Sequence, residues 1–290
     1  MSTKRKNNKT IGVLNCYNVT KPATEFLCRE SGRREFTMNI AIITGASSGM
    51  GMEYVRQLDH YFRNIDEIWV IARREDRLQQ LQSLTRIKVR PFTLDLSEGK
   101  GLKKLKKTLK QEQPVIRILI NSAGYGKIGT FEDISYSDNL GMIDINCKAL
   151  TAVTYMALPY MRRNSRIIQM ASMASYLPQA GFSVYAATKA YVLSFCTSLN
   201  EELRKRSIFV TAVCPGPVDT EFFDIAEQTG KEPVFKKMFM ANPKKVVAKA
   251  LLDSLHKRER SIYGTHYQLG TLILRFLPVS LAVRLVNCLK

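Results

Sequence analysis

From residue 38 onward the chain alternates short apolar runs with longer amphipathic stretches. The runs lie near 39–43, 67–71, 88–93, 116–120, 166–170, 208–213 and 260–263; Asn39-Ile40-Ala41-Ile42-Ile43 is typical. Short runs without polar alternation predict strands buried on both faces, and the stretches between them are long enough for helices. Strand and helix in regular alternation predict an α/β fold, a doubly wound parallel sheet of about seven strands with helices on both faces. Right-handed crossovers then bring the C-terminal strand ends, and the loops after them, to one edge. At 290 residues and 45% apolar content the chain suits one such domain with extensions at its ends.

The first run leads into Thr44-Gly45-Ala46-Ser47-Ser48-Gly49-Met50-Gly51, and a helical pattern follows to about residue 62. A strand, a glycine-rich turn and a helix start make a phosphate cradle: the backbone approaches closely, and the helix N-terminus supplies N–H groups and partial positive charge. The spacing is G-x-x-x-G-x-G rather than G-x-G-x-x-G. The second run ends at Ala72 and is followed by Arg73-Arg74. A dinucleotide site for the unphosphorylated cofactor tends to place an acid here, on the ribose 2′-OH. Guanidinium forks suit a phosphate instead. This predicts NADP(H) in preference to NAD(H), with Arg73 the first candidate and Arg74 the next.

Further along, Tyr185 and Lys189 stand four residues apart, with Ser172 thirteen positions upstream of the tyrosine. On a helix that spacing puts both side chains on one face. A nearby ammonium favours the phenolate and draws the tyrosine from its usual pKa of about 10 toward neutrality, where an acid or base works best. Alone the pair is a common helical coincidence; the other motifs, in their order, give it meaning.

Together they resemble the short-chain dehydrogenase/reductase family over about residues 38–263. Thr44 to Gly51 matches its cofactor motif, T-G-x-x-x-G-x-G. Asp95, followed by Leu96, matches the acid that contacts adenine. Asn121-Ser122-Ala123-Gly124 resembles N-N-A-G, with Ser122 in place of the second Asn. Asn146 and Ser172 fall where the family keeps its catalytic asparagine and serine, with Ser175 a local competitor for the latter. Pro215-Gly216-Pro217-Val218-Asp219-Thr220 resembles the segment that contacts the nicotinamide end. The resemblance implies hydride exchange with a carbonyl or carbinol carbon and proton exchange at its oxygen by Tyr185. It also implies a steadying hydrogen bond from Ser172, tuning and ribose contact by Lys189, and a water held by Asn146 for proton relay. It further implies a homo-oligomer, dimer or tetramer.

Composition narrows the rest. The six cysteines form no C-x-x-C pair and the three histidines are scattered, so no metal site is expected, and the thiols suit a reducing, cytoplasmic setting. The net charge is +19, yet no nucleic-acid module is recognisable, and the lysines spread over several helices as solvated faces. Residues 1–37 are polar, lack sustained periodicity and read as a disordered extension before a domain spanning 38–265; Met38 is a candidate natural start. Residues 221–241, rich in Phe and Met, fall where the family places a substrate lid. Residues 266–290 form an apolar and basic extension, and 267–290 suits peripheral membrane contact, packing on the domain or an oligomer contact alike. The expected substrate is a lipophilic carbonyl/alcohol pair, such as a steroid, retinoid-like, fatty or xenobiotic carbonyl. An acyl-thioester ketoreductase is the enzymatic alternative, and a nucleotide-sensing binding protein without turnover the non-enzymatic one.

Overall fold

The computed structural model describes residues 38–61, 64–226, 240–274, 276 and 278–288. The extension at 1–37 and most of the 221–241 segment lie outside the described residues. Among the described residues the seven strands are β1 (Asn39–Thr44), β2 (Glu67–Ala72), β3 (Lys88–Thr93), β4 (Val115–Asn121), β5 (Met161–Met170), β6 (Phe209–Val213) and β7 (Arg260–Ser261). They form one parallel sheet in the order β3-β2-β1-β4-β5-β6-β7. The expected run at 166–170 is the C-terminal half of β5, and β7 is only two residues long.

The helices are α1 (Gly49–Tyr61), α2 (Glu75–Ser83), α3 (Gly99–Glu112), α4 (Tyr136–Ile143), α5 (Leu150–Ala157), α6 (Ser183–Leu203), α7 (Phe222–Ala226), α8 (Pro243–Leu255), α9 (Thr265–Leu274) and α10 (Val279–Cys288). Strand side chains alternate between two cores. Ile40, Ile42, Trp69 and Ile71 pack with Leu105, Leu109, Leu150, Val153, Val192 and Leu199 of α3, α5 and α6. Ala41, Ile43, Ile68 and Val70 pack with Tyr54, Leu58, Leu78, Leu81 and Leu251 of α1, α2 and α8. Each fully buried aliphatic contributes roughly 1.5–3 kcal/mol against chain entropy. Both faces are used, which is why β1 and β2 read as continuous apolar runs.

Two features position the chemistry. The chain leaves β1 for β2 on one side and later returns to β4 on the other, so a crevice opens beyond the C-terminal ends of β1 and β4. Between α4 and α5 the helix loosens into one π-helical segment, Asp144–Ala149, which carries Asn146; such segments often mark functional positions.

Candidate active site

A cleft of about 520 Å³ runs along this edge of the sheet. Its floor is the loop between β1 and α1. Thr44 Oγ1 accepts from the N–H groups of Ser122 and Ala123, at 3.1 Å each, and ties that loop to the end of β4. Gly45 has φ +68°, and a Cβ there would lie 2.6 Å from Ala123 N; one on Gly51 would lie 2.1 Å from Gly45 O. These glycines let the loop fold back on itself, leaving Ser47, Ser48, Gly49 and Met50 along the cleft at the start of α1.

The two arginines after β2 diverge. Arg73 is largely exposed, and its nearest acid is Asp95 at 3.8 Å. Arg74 lies over the loop: Nε and Nη2 donate to Ser47 Oγ at 3.2 and 3.1 Å, and Nη2 donates to Ser48 Oγ at 2.7 Å. Arg73 thus stays exposed beside Asp95, while Arg74 is the arginine turned back onto the glycine loop. Its Nη1 donates to Glu221 at 2.8 Å, and Arg77, one helical turn on, donates to the same carboxylate. The Arg77 and Arg74 guanidiniums hold the Glu221 carboxyl below the usual carboxylate range. Two serine hydroxyls, guanidiniums and a helix N-terminus are an anion-binding set, so the residues present fit a dinucleotide carrying an extra phosphate.

The other expected cofactor residues divide into two groups. Asp95, Leu96, Ala123, Gly124 and Thr220 line the cleft. Asp95 Oδ1 is held by the N–H and hydroxyl of Ser97, at 2.9 and 2.5 Å. Asn121 is turned into the core, where Nδ2 donates to Thr154 Oγ1 at 3.0 Å. Pro215, Gly216 and Val218 sit behind the cleft wall. Pro215 O accepts from Met173 N, Gly216 lies under the Tyr267 ring of α9, and Val218 bridges to Ala241.

The four expected catalytic positions converge beyond the ends of β4 and β5. Tyr185 and Lys189 lie on one face of α6, both buried. Ser172 caps a short turn, Met173–Ser175: its Oγ accepts from Ala174 N at 3.1 Å, while Ser175 Oγ accepts from Ser172 N at 3.2 Å. That leaves the Ser172 hydroxyl proton free to point elsewhere. Asn146 is fully buried and spans two elements, donating to Tyr125 O at 2.9 Å and Thr188 Oγ1 at 3.1 Å and accepting from Tyr125 N at 3.1 Å. A Cβ on Gly124 would meet Asn146 Oδ1 at 2.6 Å and Lys189 Nζ at 3.6 Å, so the expected N-N-A-G glycine is the gap through which these two groups approach.

The electrostatics of the pair differ from the sequence expectation. Lys189 Nζ lies 5.5 Å from the Tyr185 ring centroid and donates to Met170 O at 2.7 Å. Burial lowers its pKa to about 8. Burial also pushes Tyr185 up to about 12, with only the Ser172 hydroxyl pulling the other way. Phe182 stacks on the Tyr185 ring at 4.2 Å, Phe222, first residue of α7, lies at 5.4 Å, and Met142, Ala174 and Ala186 complete the apolar surround. In this arrangement desolvation outweighs the cation.

A model of the family described as short chain dehydrogenase matches residues 39–230. The chain belongs to the short-chain dehydrogenase family. It is an oxidoreductase of that family, acting on CH–OH groups. An NADP-dependent 3-hydroxy acid dehydrogenase of Schizosaccharomyces pombe is 30% identical over 232 residues, 76% of this chain and 88% of that protein. Sulfoacetaldehyde reductase 2 of Chromohalobacter salexigens is 32% identical over 193 residues, 63% of this chain and 74% of that protein. The solved short-chain dehydrogenase from Sphingobium yanoikuyae in complex with NADPH superposes with a TM-score of 0.70 at 26% identity, covering 81% of this chain and 92% of its own. Four residues that the motifs left out also bear on the site: Glu221 and Lys127 line the cleft, Arg77 pairs with Glu221, and Phe182 stacks on Tyr185. Only Arg77, three residues after Arg74 and so on its helical face, carried a signal in the spacing.

Proposed function

We propose that this dehydrogenase interconverts a carbonyl and a secondary alcohol with NADP(H) as cofactor. The observation that carries the reading is the junction of two sites at one sheet edge: Arg74 forked over Ser47 and Ser48, and Tyr185, Ser172, Lys189 and Asn146 gathered beyond β4 and β5. When bound, NADP(H) supplies or accepts the hydride. Arg74, with Arg73 and Arg77 beside it, would hold the 2′-phosphate, and the glycine loop the pyrophosphate. Tyr185 gives its proton to the substrate oxygen or takes it back. The Ser172 hydroxyl donates to that oxygen as charge develops there. Lys189, held by the Met170 carbonyl, supplies positive charge beneath the phenol. Asn146 locks the Tyr125 loop and α6 to the π segment. Tyr185→Phe tests the reading: turnover is lost while NADPH binding persists. Retained turnover overturns it, and loss of NADPH binding by the wild type returns weight to a protein without turnover.

The aromatic cover of Phe182 and Phe222, with Ile225 on the cleft, supports an apolar substrate. One observation favours an acid-bearing substrate as a second reading. Lys127 lines the cleft, is only 8% exposed and makes no hydrogen bond or ion pair with another described residue. It follows Gly126, where a Cβ would lie 2.6 Å from the Tyr185 ring. The relatives named for a 3-hydroxy acid and for sulfoacetaldehyde both concern acid-bearing molecules. Under this reading Lys127→Met raises KM for carbonyl substrates bearing an acid and leaves neutral ketones unaffected. Self-association through the faces carrying exposed Tyr136, Tyr155 and Tyr191 accompanies the proposal. Peripheral membrane contact is supported by exposed Leu269, Leu272, Ile273 and Phe276; among the described residues no helix is long and apolar enough to cross a membrane.

A further inference from the structure

Glu221 joins the two halves of the site. Its carboxylate accepts from Arg74 Nη1 at 2.8 Å and from Arg77. The same Arg74 donates to Ser47 and Ser48 of the glycine loop. One carboxylate therefore occupies the basic patch at the end of β2. Glu221 is also the residue before α7, and α7 opens with Phe222 on the Tyr185 ring. The other end of α7 is held by Ile128 N donating to Ala226 O at 3.1 Å. An acid at this point is not needed for the fold: its side chain is 37% exposed, as are those of its partners to within a few per cent.

We propose that Glu221 is an internal stand-in for the cofactor's 2′-phosphate. It occupies Arg74 and Arg77 until an adenosine 2′-phosphate displaces it, and its release frees the start of α7 and uncovers Tyr185. The inference rests on the NADP(H) reading. A phosphate near two negative charges, with three acceptor oxygens, outcompetes one carboxylate for two guanidiniums; a ribose 2′-hydroxyl does not. Half-exposed ion pairs are weak, which makes the strap displaceable, whereas a buried pair would not let go. Discrimination between the two cofactors then acts at α7 as well as at the phosphate itself. While Glu221 holds its arginines, the fraction of molecules open to the phosphate is reduced, and apparent affinity falls with it.

The test uses the full chain and two probes without nicotinamide, adenosine 2′,5′-bisphosphate and adenosine 5′-monophosphate. Affinity is read by calorimetry and the backbone of 218–226 by hydrogen exchange. In the wild type the bisphosphate raises exchange in that segment and the monophosphate does not. In Glu221→Gln the segment exchanges fast without ligand, the bisphosphate binds about fivefold tighter, and the monophosphate is unchanged. Glu75→Gln, on α2 and paired among the described residues with Gln79, is the charge-matched control and binds the bisphosphate as the wild type does. Equal tightening in Glu75→Gln assigns the gain to net charge and overturns the proposal. So does a Glu221→Gln protein that binds the bisphosphate equally or more weakly, since Glu221 then only positions the arginines; in both cases the NADP(H) reading stands. Failure of the bisphosphate to bind either protein overturns the NADP(H) reading and the stand-in with it.

Discussion

Truncating Phe222 to alanine isolates the cause of the Tyr185 shift. Burial raises that phenol from 10.0 to about 12. At ~1.4 kcal/mol per pKa unit, the phenolate is disfavoured by about 3 kcal/mol in this arrangement. Two rings form the aromatic part of the cover, Phe182 stacked at 4.2 Å and Phe222 tilted at 5.4 Å. Removing one opens the phenol edge to water and leaves the other, so the midpoint in Phe222→Ala is expected to fall to about 11. Phe222 is only half-buried, so the truncation costs less than the 3–5 kcal/mol typical of a core phenylalanine, and the protein stays folded. The assay is a tyrosinate absorbance titration of wild type minus Tyr185→Phe, which removes the other eleven of twelve tyrosines, repeated on the Phe222→Ala background. Stability carries the same signature. The folded state holds this proton more tightly than the unfolded chain, so the stabilisation is complete below pH 10 and is lost as pH rises toward about 12. Phe222→Ala should narrow that window. A midpoint still near 12 in Phe222→Ala would refute α7 as the cover. A wild-type midpoint below 10 would refute burial altogether and restore Lys189 as the controlling group.

Four further outcomes are expected. Lys189 is depressed from 10.5 to about 8, so the unfolded state binds more protons between those values and wild-type stability rises with pH across that window; in Lys189→Met, denaturant titrations should show that rise gone. Arg74→Ala should weaken NADPH binding about 10- to 100-fold, leave NADH nearly unchanged, and exceed Arg73→Ala in fluorescence titrations; the reverse order would return the phosphate to Arg73. Ser175→Ala removes the acceptor for Ser172 N and should lower kcat by up to about a hundredfold at unchanged KM, if Ser175 acts by positioning Ser172. A Gly216→Val side chain would enter the Tyr267 ring, since a Cβ already lies 2.3 Å from it; thermal unfolding should report a loss of about 1–3 kcal/mol, recovered in part by Tyr267→Ala.

What the sequence made legible is what repeats along one dimension. β1 and β2 are buried on both faces, so their apolar runs stand out without any partner being known. Tyr185 and Lys189 share a helix face, and the serines and glycines of the β1–α1 loop lie within one short stretch, so spacing, read with the order of the other motifs, placed them. What the sequence leaves open is which way a side chain turns. Nothing in Arg73-Arg74 says that the second arginine folds back onto Ser47 and Ser48 while the first stays exposed. Nothing in Asn121-Ser122-Ala123-Gly124 says that the asparagine is spent on Thr154 in the core. The Tyr185 ring also packs against Phe222, brought to it from 37 positions away by the return of the chain from β6, which no local pattern encodes.

The same long-range contact ties the chemistry to the cofactor pocket. The segment after β6 places Thr220 over Gly49, Glu221 on Arg74 and Arg77, and Phe222 on Tyr185, in three consecutive residues. A backbone shift of this segment would therefore bear on all three contacts. The glycine loop, the arginine patch and the catalytic phenol are consequently read by one short piece of chain. For that reason the pKa of Tyr185 should depend on what occupies Arg74, although the two side chains touch no common atom. Repeating the tyrosinate titration with adenosine 2′,5′-bisphosphate present asks this directly. A midpoint lowered by the bisphosphate but not by adenosine 5′-monophosphate would show the coupling, and identical midpoints would show that the three contacts open independently.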